Sequence, residues 1–142
     1  MNALDALVTT KSIADERATM IQRRKPTDAE LDILAVLWDR GPSTVRQIAE
    51  ALGRENAYTT VLKLLQIMTE KRLVQRRESG RLHIYTAAAS RDQTQGHLVR
   101  DLLQRAFGGS AAQLVMRALS TSKASPEELA EIRKLIDQHR GR

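Results

Sequence analysis

No cysteine occurs among the 142 residues. That absence excludes disulfides, thiolate metal sites and cysteine nucleophiles together, and it suits a reducing compartment. Aromatic residues make up only 3% of the chain, so a core must be assembled from Leu, Ile, Val and Ala, as helical proteins often do. Three prolines and seven glycines leave room for few turns. No apolar run approaches the length of a membrane span. The opening MNALDALVTT carries Asp5 and lacks a basic stretch before an apolar core, so it does not read as a secretory signal. The expectation is a mostly helical, cytoplasmic chain with no membrane insertion.

A hydrophobic fraction of 42% argues for a folded chain, with a length suited to one domain or two small ones. The formal charge of +6 hints at an acidic partner, and its distribution says more. Between Pro26 and Glu50 two basic residues stand against five acidic ones. Between Ala51 and Thr86 seven basic residues stand against three. The positive charge gathers in the middle of the chain.

Residues 1–25 have an irregular apolar pattern and end in Arg23-Arg24-Lys25; they read as a frayed helix or a flexible arm, and Met20 is a second candidate for the start. Order is expected from PTDAELDILAVLWDRG, where Thr27 and Glu30 form a capping-box pattern and Asp28 and Glu30 suit a helix N-terminus. Leu31, Leu34 and Trp38 share one face, with Ile33 and Leu37 beside them, and Gly41-Pro42 ends the helix. In STVRQIAEALG, Thr44 and Gln47 can cap, Val45, Ile48 and Leu52 face inward, and Gly53 follows the end. The third helix lies in AYTTVLKLLQIMTEKRLV, with Asn56 a candidate cap and Val61, Leu64, Leu65 and Met68 its apolar stripe. The period then changes. LVQRRESGRLHIYTA predicts a hairpin of Leu73–Arg77 and Leu82–Thr86, with Glu78–Arg81 at its tip. Helix, helix, helix, hairpin is the order of a winged helix-turn-helix.

After Ala87 the pattern is helical again. Ser90 with Gln93 opens a segment through Phe107, closed by Gly108-Gly109; a second runs from about Ser110 to Leu119. The last starts at SPEEL, with Ser125 as cap, Pro126 at the first helical position and Glu128 completing the box. Three short helices with apolar stripes are too little for an independent core. Burial against a second copy resolves this, so Leu98, Leu102, Phe107, Leu114, Val115, Leu119, Leu129, Ile132, Leu135 and Ile136 are the expected homodimer contacts. The division is therefore an N-terminal extension (1–25), a winged-helix DNA-binding domain (26–88) and a helical dimerisation domain (89–142).

In the third helix, an opening turn of Tyr58, Thr59 and Thr60 is a poor choice for helix propensity and gives a core nothing. It makes sense on a recognition helix, whose N-terminal part enters the major groove. Hydroxyls can meet phosphates or base edges, and Lys63 adds a charge-assisted contact. Arg46, Arg54, Arg76 and Arg81 complete the expected DNA contacts. Arg76 and Arg77 point to opposite faces of a strand, so one of the two is expected to face DNA.

The stretches TDAELDILAVLWDRGPSTVRQIAEAL, AYTTVLKLLQIMTEKRLV, SGRLHIYTA, LLQRAFGGSAAQLV and ASPEELAEIRKLI resemble the BlaI/MecI/CopY family of bacterial transcriptional repressors, over about Pro26 to His139. The resemblance implies a winged helix, a helical dimerisation region and binding as a homodimer to a palindromic operator in double-stranded DNA. It also implies derepression by proteolysis, with a membrane-bound sensor metallopeptidase as partner in antibiotic-responsive members. Three departures stand out. The family usually has glycine where this chain has Arg72; in a left-handed backbone arginine there costs roughly 1 kcal/mol, so a different turn is expected. The cysteines of the copper-responsive branch are absent, which argues against a copper switch. The Asn-Phe junction cut in staphylococcal-type relatives falls here at Arg117-Ala118, which argues against a protease of the same specificity.

An enzyme reading finds little support. His83, His97 and His139 are far apart, and no metal-ligand spacing, nucleophile elbow or phosphate-binding glycine loop is present. No cofactor or metal is expected. The alternative is a winged helix that binds a protein partner; the cationic, hydroxyl-bearing face of the third helix argues for DNA instead.

Overall fold

The computed structural model describes residues 25–53 and 57–141. These divide into two compact units after Gly96.

The N-terminal unit begins with helix α1 (Asp28–Arg40). Thr27 Oγ1 accepts from the Glu30 amide, and the Glu30 carboxylate accepts from the Thr27 amide, so the capping box is complete. Helix α2 (Val45–Ala51) starts with the same device, built from Thr44 and Gln47. Helix α3 (Tyr58–Glu70) has Ala57 at its N-cap position and no side-chain cap; Asn56, the expected cap, lies outside the described residues. Strands β1 (Val74–Ser79) and β2 (Leu82–Ala87) form an antiparallel hairpin. Ser43, between α1 and α2, adds a third short rung: its amide and carbonyl pair with those of Tyr85 at 3.1 and 2.8 Å.

The hairpin is tighter than its polarity suggests. Glu78 and Ser79 pair with His83 and Leu82, leaving Gly80 and Arg81 as a two-residue loop rather than a tip from Glu78 to Arg81. Gly80 has φ +63° while Arg81 keeps negative φ, the glycine-first pattern that suits the right-handed twist of a hairpin.

One core serves this unit. Ile33, Leu34 and Leu37 of α1, Val45, Ile48 and Ala49 of α2, Val61, Leu65 and Met68 of α3, Val74 and Tyr85 are all buried. Leu31 and Trp38, expected at the centre of the α1 face, are only partly buried; the face turns toward Ile33 and Leu37 instead. Leu52 and Leu64 are likewise partly buried at the margin.

Glu30 lies deep in this unit at 1% exposure. Lys71 Nζ sits 2.7 Å from its carboxylate. Burial pushes the Glu30 carboxyl upward, but hydrogen bonds from Lys71 and the Thr27 amide, with the Lys71 charge, outweigh it and hold the group below its ordinary value. The box residue of α1 is thus also an anchor for the end of α3.

The turn after α3 does not differ in the way Arg72 suggests. Arg72 adopts φ +64°, the only non-glycine with positive φ among the described residues. Its amide donates to the Thr69 carbonyl at 3.1 Å, and the Leu73 amide to the Met68 carbonyl at 2.9 Å. Those two bonds define a Schellman ending, and Leu73 packs beside the core that contains Met68. Arginine occupies the position glycine would fill without strain.

The C-terminal unit and its approach consist of helices α4 (Arg91–Ala106), α5 (Ala111–Thr121) and α6 (Pro126–Arg140). Ser90 and Gln93 exchange backbone–side-chain bonds of 3.0 and 3.1 Å to start α4. Ser110 caps α5, and Ser125 accepts from the Glu128 amide at the start of α6, with Pro126 in the first turn. None of the three helices has a fully buried residue.

Candidate nucleic-acid interface

The periodicity of α3 sorts its residues into two faces. Val61, Leu65 and Met68 are buried, with Leu62 and Leu64 packed at the core's edge. Tyr58, Thr59, Thr60, Lys63, Gln66, Ile67 and Glu70 are exposed. The first two turns therefore present hydroxyls, a phenol and an ammonium to solvent, while the buried stripe fixes the helix to the body. Tyr58, at 46% exposure, does not complete the core. Glu70 closes the exposed face with a negative charge at its C-terminal end.

Arg46 is exposed in the first turn of α2. Arg54 lies outside the described residues. On the hairpin, strand alternation and register place Arg76 opposite Tyr85, on the face that carries core residues Val74 and Tyr85, yet Arg76 itself is exposed. Arg77, opposite Ile84, lies on the outer face and is also exposed. Arg81 is exposed in the two-residue loop. Among the described residues, no ion pair ties up Arg46, Lys63, Arg76, Arg77 or Arg81. No other described residue neutralises these cations, which is the state in which they attract polyanions.

Two neighbours of this face were not singled out by the sequence pattern. Gln66 extends the polar face by one turn beyond Lys63, at the i+3 spacing that defines the stripe. Leu82 stands beside Arg81 at the loop, a largely exposed apolar side chain at 60% exposure. Both could have been read from helical phase and hairpin register.

The surface has no cluster of metal-ligating side chains among the described residues. No helix among them is long and apolar enough to cross a membrane. The expected dimer residues lie on the C-terminal helices except Phe107, which falls in the turn after α4 and not within the helix expected to include it; Leu98, Phe107, Leu114 and Ile132 are partly exposed and Leu102, Val115, Leu119, Leu129, Leu135 and Ile136 exposed.

The family model for the penicillinase repressor matches residues 26–138. The transcriptional regulator BlaI of Mycobacterium tuberculosis is 37% identical over 92 residues, covering 63% of this chain and 67% of the relative. The penicillinase repressor of Bacillus licheniformis is 21% identical over 82% of this chain and 92% of its own length. A crystal structure of the YusO protein from Bacillus subtilis aligns with 99% of both chains at 18% identity and a TM-score of 0.48, a likeness too loose to bear on function. The family is not an enzymatic one, and the chain belongs to it: it is a transcriptional regulator of the penicillinase repressor family.

Proposed function

We propose that this chain represses transcription by binding, as a homodimer, a palindromic operator in double-stranded DNA. The observation that carries the proposal is the exposed face of α3, hydroxylic and cationic over its first two turns, beside a hairpin whose arginines pair with no other described residue. In this reading Thr59, Thr60 and Lys63 approach base edges and Tyr58 lies at the leading edge of the helix. Arg46, Arg54, Arg76 and Arg81 hold flanking phosphates. Glu70 would repel phosphate, which favours entry of the N-terminal half of α3 over the C-terminal half.

Residues 26–88 are the DNA-binding domain in this proposal and 89–142 the dimerisation domain. Support for the second part comes from exposed apolar stripes: Leu102, Val115, Leu119, Leu129, Leu135 and Ile136 are each more than two-fifths exposed in one chain. Apolar faces of that extent mark association surfaces. The protein acts in the cytoplasm and needs no cofactor.

Derepression by proteolysis, through a membrane-bound sensor metallopeptidase, belongs to the same reading. The Arg117–Ala118 bond lies within α5, and the Arg117 carbonyl accepts from Ser120 and Thr121 hydroxyls at 3.0 and 2.9 Å. A peptidase cutting there would have a specificity other than Asn-Phe and would have to open the helix first.

Fluorescence anisotropy with DNA from upstream of the protein's own gene, against scrambled competitor across a salt series, tests the proposal. Specific binding that saturates at two chains per site, with a steep salt slope, is expected. Equal, weak binding to both DNAs would refute operator recognition at that promoter and turn attention to a protein partner.

A further inference from the structure

Val61, Leu65 and Met68 of α3 are buried in the core, and Leu62 and Leu64 pack against it. Ile67 is the exception: it lies outside that set and is 37% exposed. Isoleucine is a middling helix former, so propensity does not account for it on a solvent face. Beside it Gln66 is exposed, and no other described residue hydrogen-bonds its side-chain amide.

Helical phase gives the two side chains a common direction. With about 100° between successive residues, Gln66 and Ile67 straddle the direction opposite the Val61-Leu65-Met68 stripe by roughly 50° each. They stand only about 1.5 Å apart along the axis, so they meet a groove at one level. Lys63 lies one turn back in the sector between them, and Glu70 one turn ahead. A carboxylate repels phosphate, so the two residues form the last level of the exposed face before that charge.

Their chemistry is complementary rather than alike. Gln66 offers a donor and an acceptor side by side. Ile67 offers only methyl and methylene groups, on a side chain stiff at χ1 that gives up little freedom on contact. In the major groove a single base pair presents both counterparts: adenine N7 and N6–H on one side, the thymine C5-methyl on the other. A G·C pair puts the guanine O6 acceptor in place of the adenine N6–H and lacks the methyl.

Resting on the DNA-binding reading above, we propose that Gln66 and Ile67 together read one A·T pair in each operator half-site. Adenine N6–H donates to Gln66 Oε1, Gln66 Nε2 donates to adenine N7, and the Ile67 side chain packs on the methyl of the paired thymine. The two contacts fix the orientation of the pair as well as its composition, because reversal would bring the methyl to the amide.

The test uses the full-length protein and the duplex it selects in vitro from random DNA. Each thymine of one half-site is replaced in turn by uracil, which lacks only the methyl, and each adenine by 7-deazaadenine, which lacks only the N7 acceptor. For wild type one A·T pair should respond to both. The expected loss of affinity is roughly fourfold for uracil, from one buried methyl, and roughly fivefold for 7-deazaadenine, from one hydrogen bond. At that pair Ile67→Ala should bind uracil and thymine duplexes alike while still sensing 7-deazaadenine, and Gln66→Ala should show the reverse. Alanine suits an exposed helix position, so circular dichroism should be unchanged in both. A wild type with no pair sensitive to both analogues, or variants as sensitive as wild type, would overturn the proposal and leave operator recognition intact. A wild type that selects no preferred duplex would overturn the DNA-binding reading itself, a separate failure.

Discussion

Replacing Arg72 by glycine should make the N-terminal unit more stable, although it removes a whole side chain. Arg72 holds φ +64° as the left-handed residue of a Schellman ending, and its side chain is exposed. A left-handed conformation costs an L-residue roughly 1–2 kcal/mol, and glycine nothing comparable. Against this, glycine adds unfolded-state entropy worth roughly 0.5–1 kcal/mol. The net gain is about 0.5–1 kcal/mol. It should be read by hydrogen exchange at the Leu65 amide, in the middle of α3, whose exchange requires the unit to open. Protection there should rise roughly two- to fivefold. Arg72→Ala is the control. It removes the same charge and length but keeps the Cβ and the left-handed cost, so protection should stay near the wild-type value. A gain in alanine equal to that in glycine would show that charge, not backbone conformation, sets the effect; a loss in glycine would refute the strain argument outright.

Other outcomes follow from the same geometry. Glu30→Gln should destabilise the N-terminal unit at neutral pH by about 1–3 kcal/mol, by loss of a charge-assisted bond to Lys71. Because the folded carboxyl is held below its ordinary value, the stabilisation is present above the unfolded value and is lost as pH falls through the folded one. Urea titrations of the two proteins should therefore draw together as the pH falls below the ordinary carboxylate range, and a gap that stays constant or widens on acidification would contradict the assignment. Thr60→Val and Lys63→Ala should each weaken operator binding by about tenfold with unchanged circular dichroism, and Lys63→Ala should lower the salt slope by about one; normal operator affinity in both would remove α3 from the recognition role. Ile132→Asp should convert a dimer to a monomer in sedimentation velocity, and an unchanged mass would place the interface elsewhere.

Features that depend on near neighbours in the chain could be read in advance. The Thr27–Glu30 and Thr44–Gln47 boxes, the buried Val61-Leu65-Met68 stripe and the exposed turn from Tyr58 to Thr60 all follow from spacings of three and four. The hairpin was legible but its loop was not placed correctly. Glu78 and Ser79 look like turn residues, yet pairing with His83 and Leu82 was decided by Gly80, where only one position needs positive φ. Contacts between distant residues left no local trace. Glu30 reads as a capping residue at a helix N-terminus, and nothing near it in sequence announces its burial beside Lys71, 41 residues away. Trp38 reads as a core residue because it is large and in phase, but its N–H is drawn to the Ala89 carbonyl at the surface. The conformation of Arg72 defied its residue type because two backbone bonds and the packing of Leu73 demand the left-handed form whichever side chain is present.

The indole at the junction has one more consequence. Trp38 is the only tryptophan in the chain, so the protein carries a single indole, which red-edge excitation separates from the emission of Tyr58 and Tyr85, at the point where the hairpin leads into α4. Its emission comes from a ring bonded to a carbonyl and overlaid by a guanidinium, two groups that tune an indole's colour and brightness. Opening of that joint would change the spectrum of the unlabelled protein, and motions elsewhere would leave it dark to the observer. The molecule thus has a built-in optical gauge of the contacts around Trp38, usable on operator DNA without a dye.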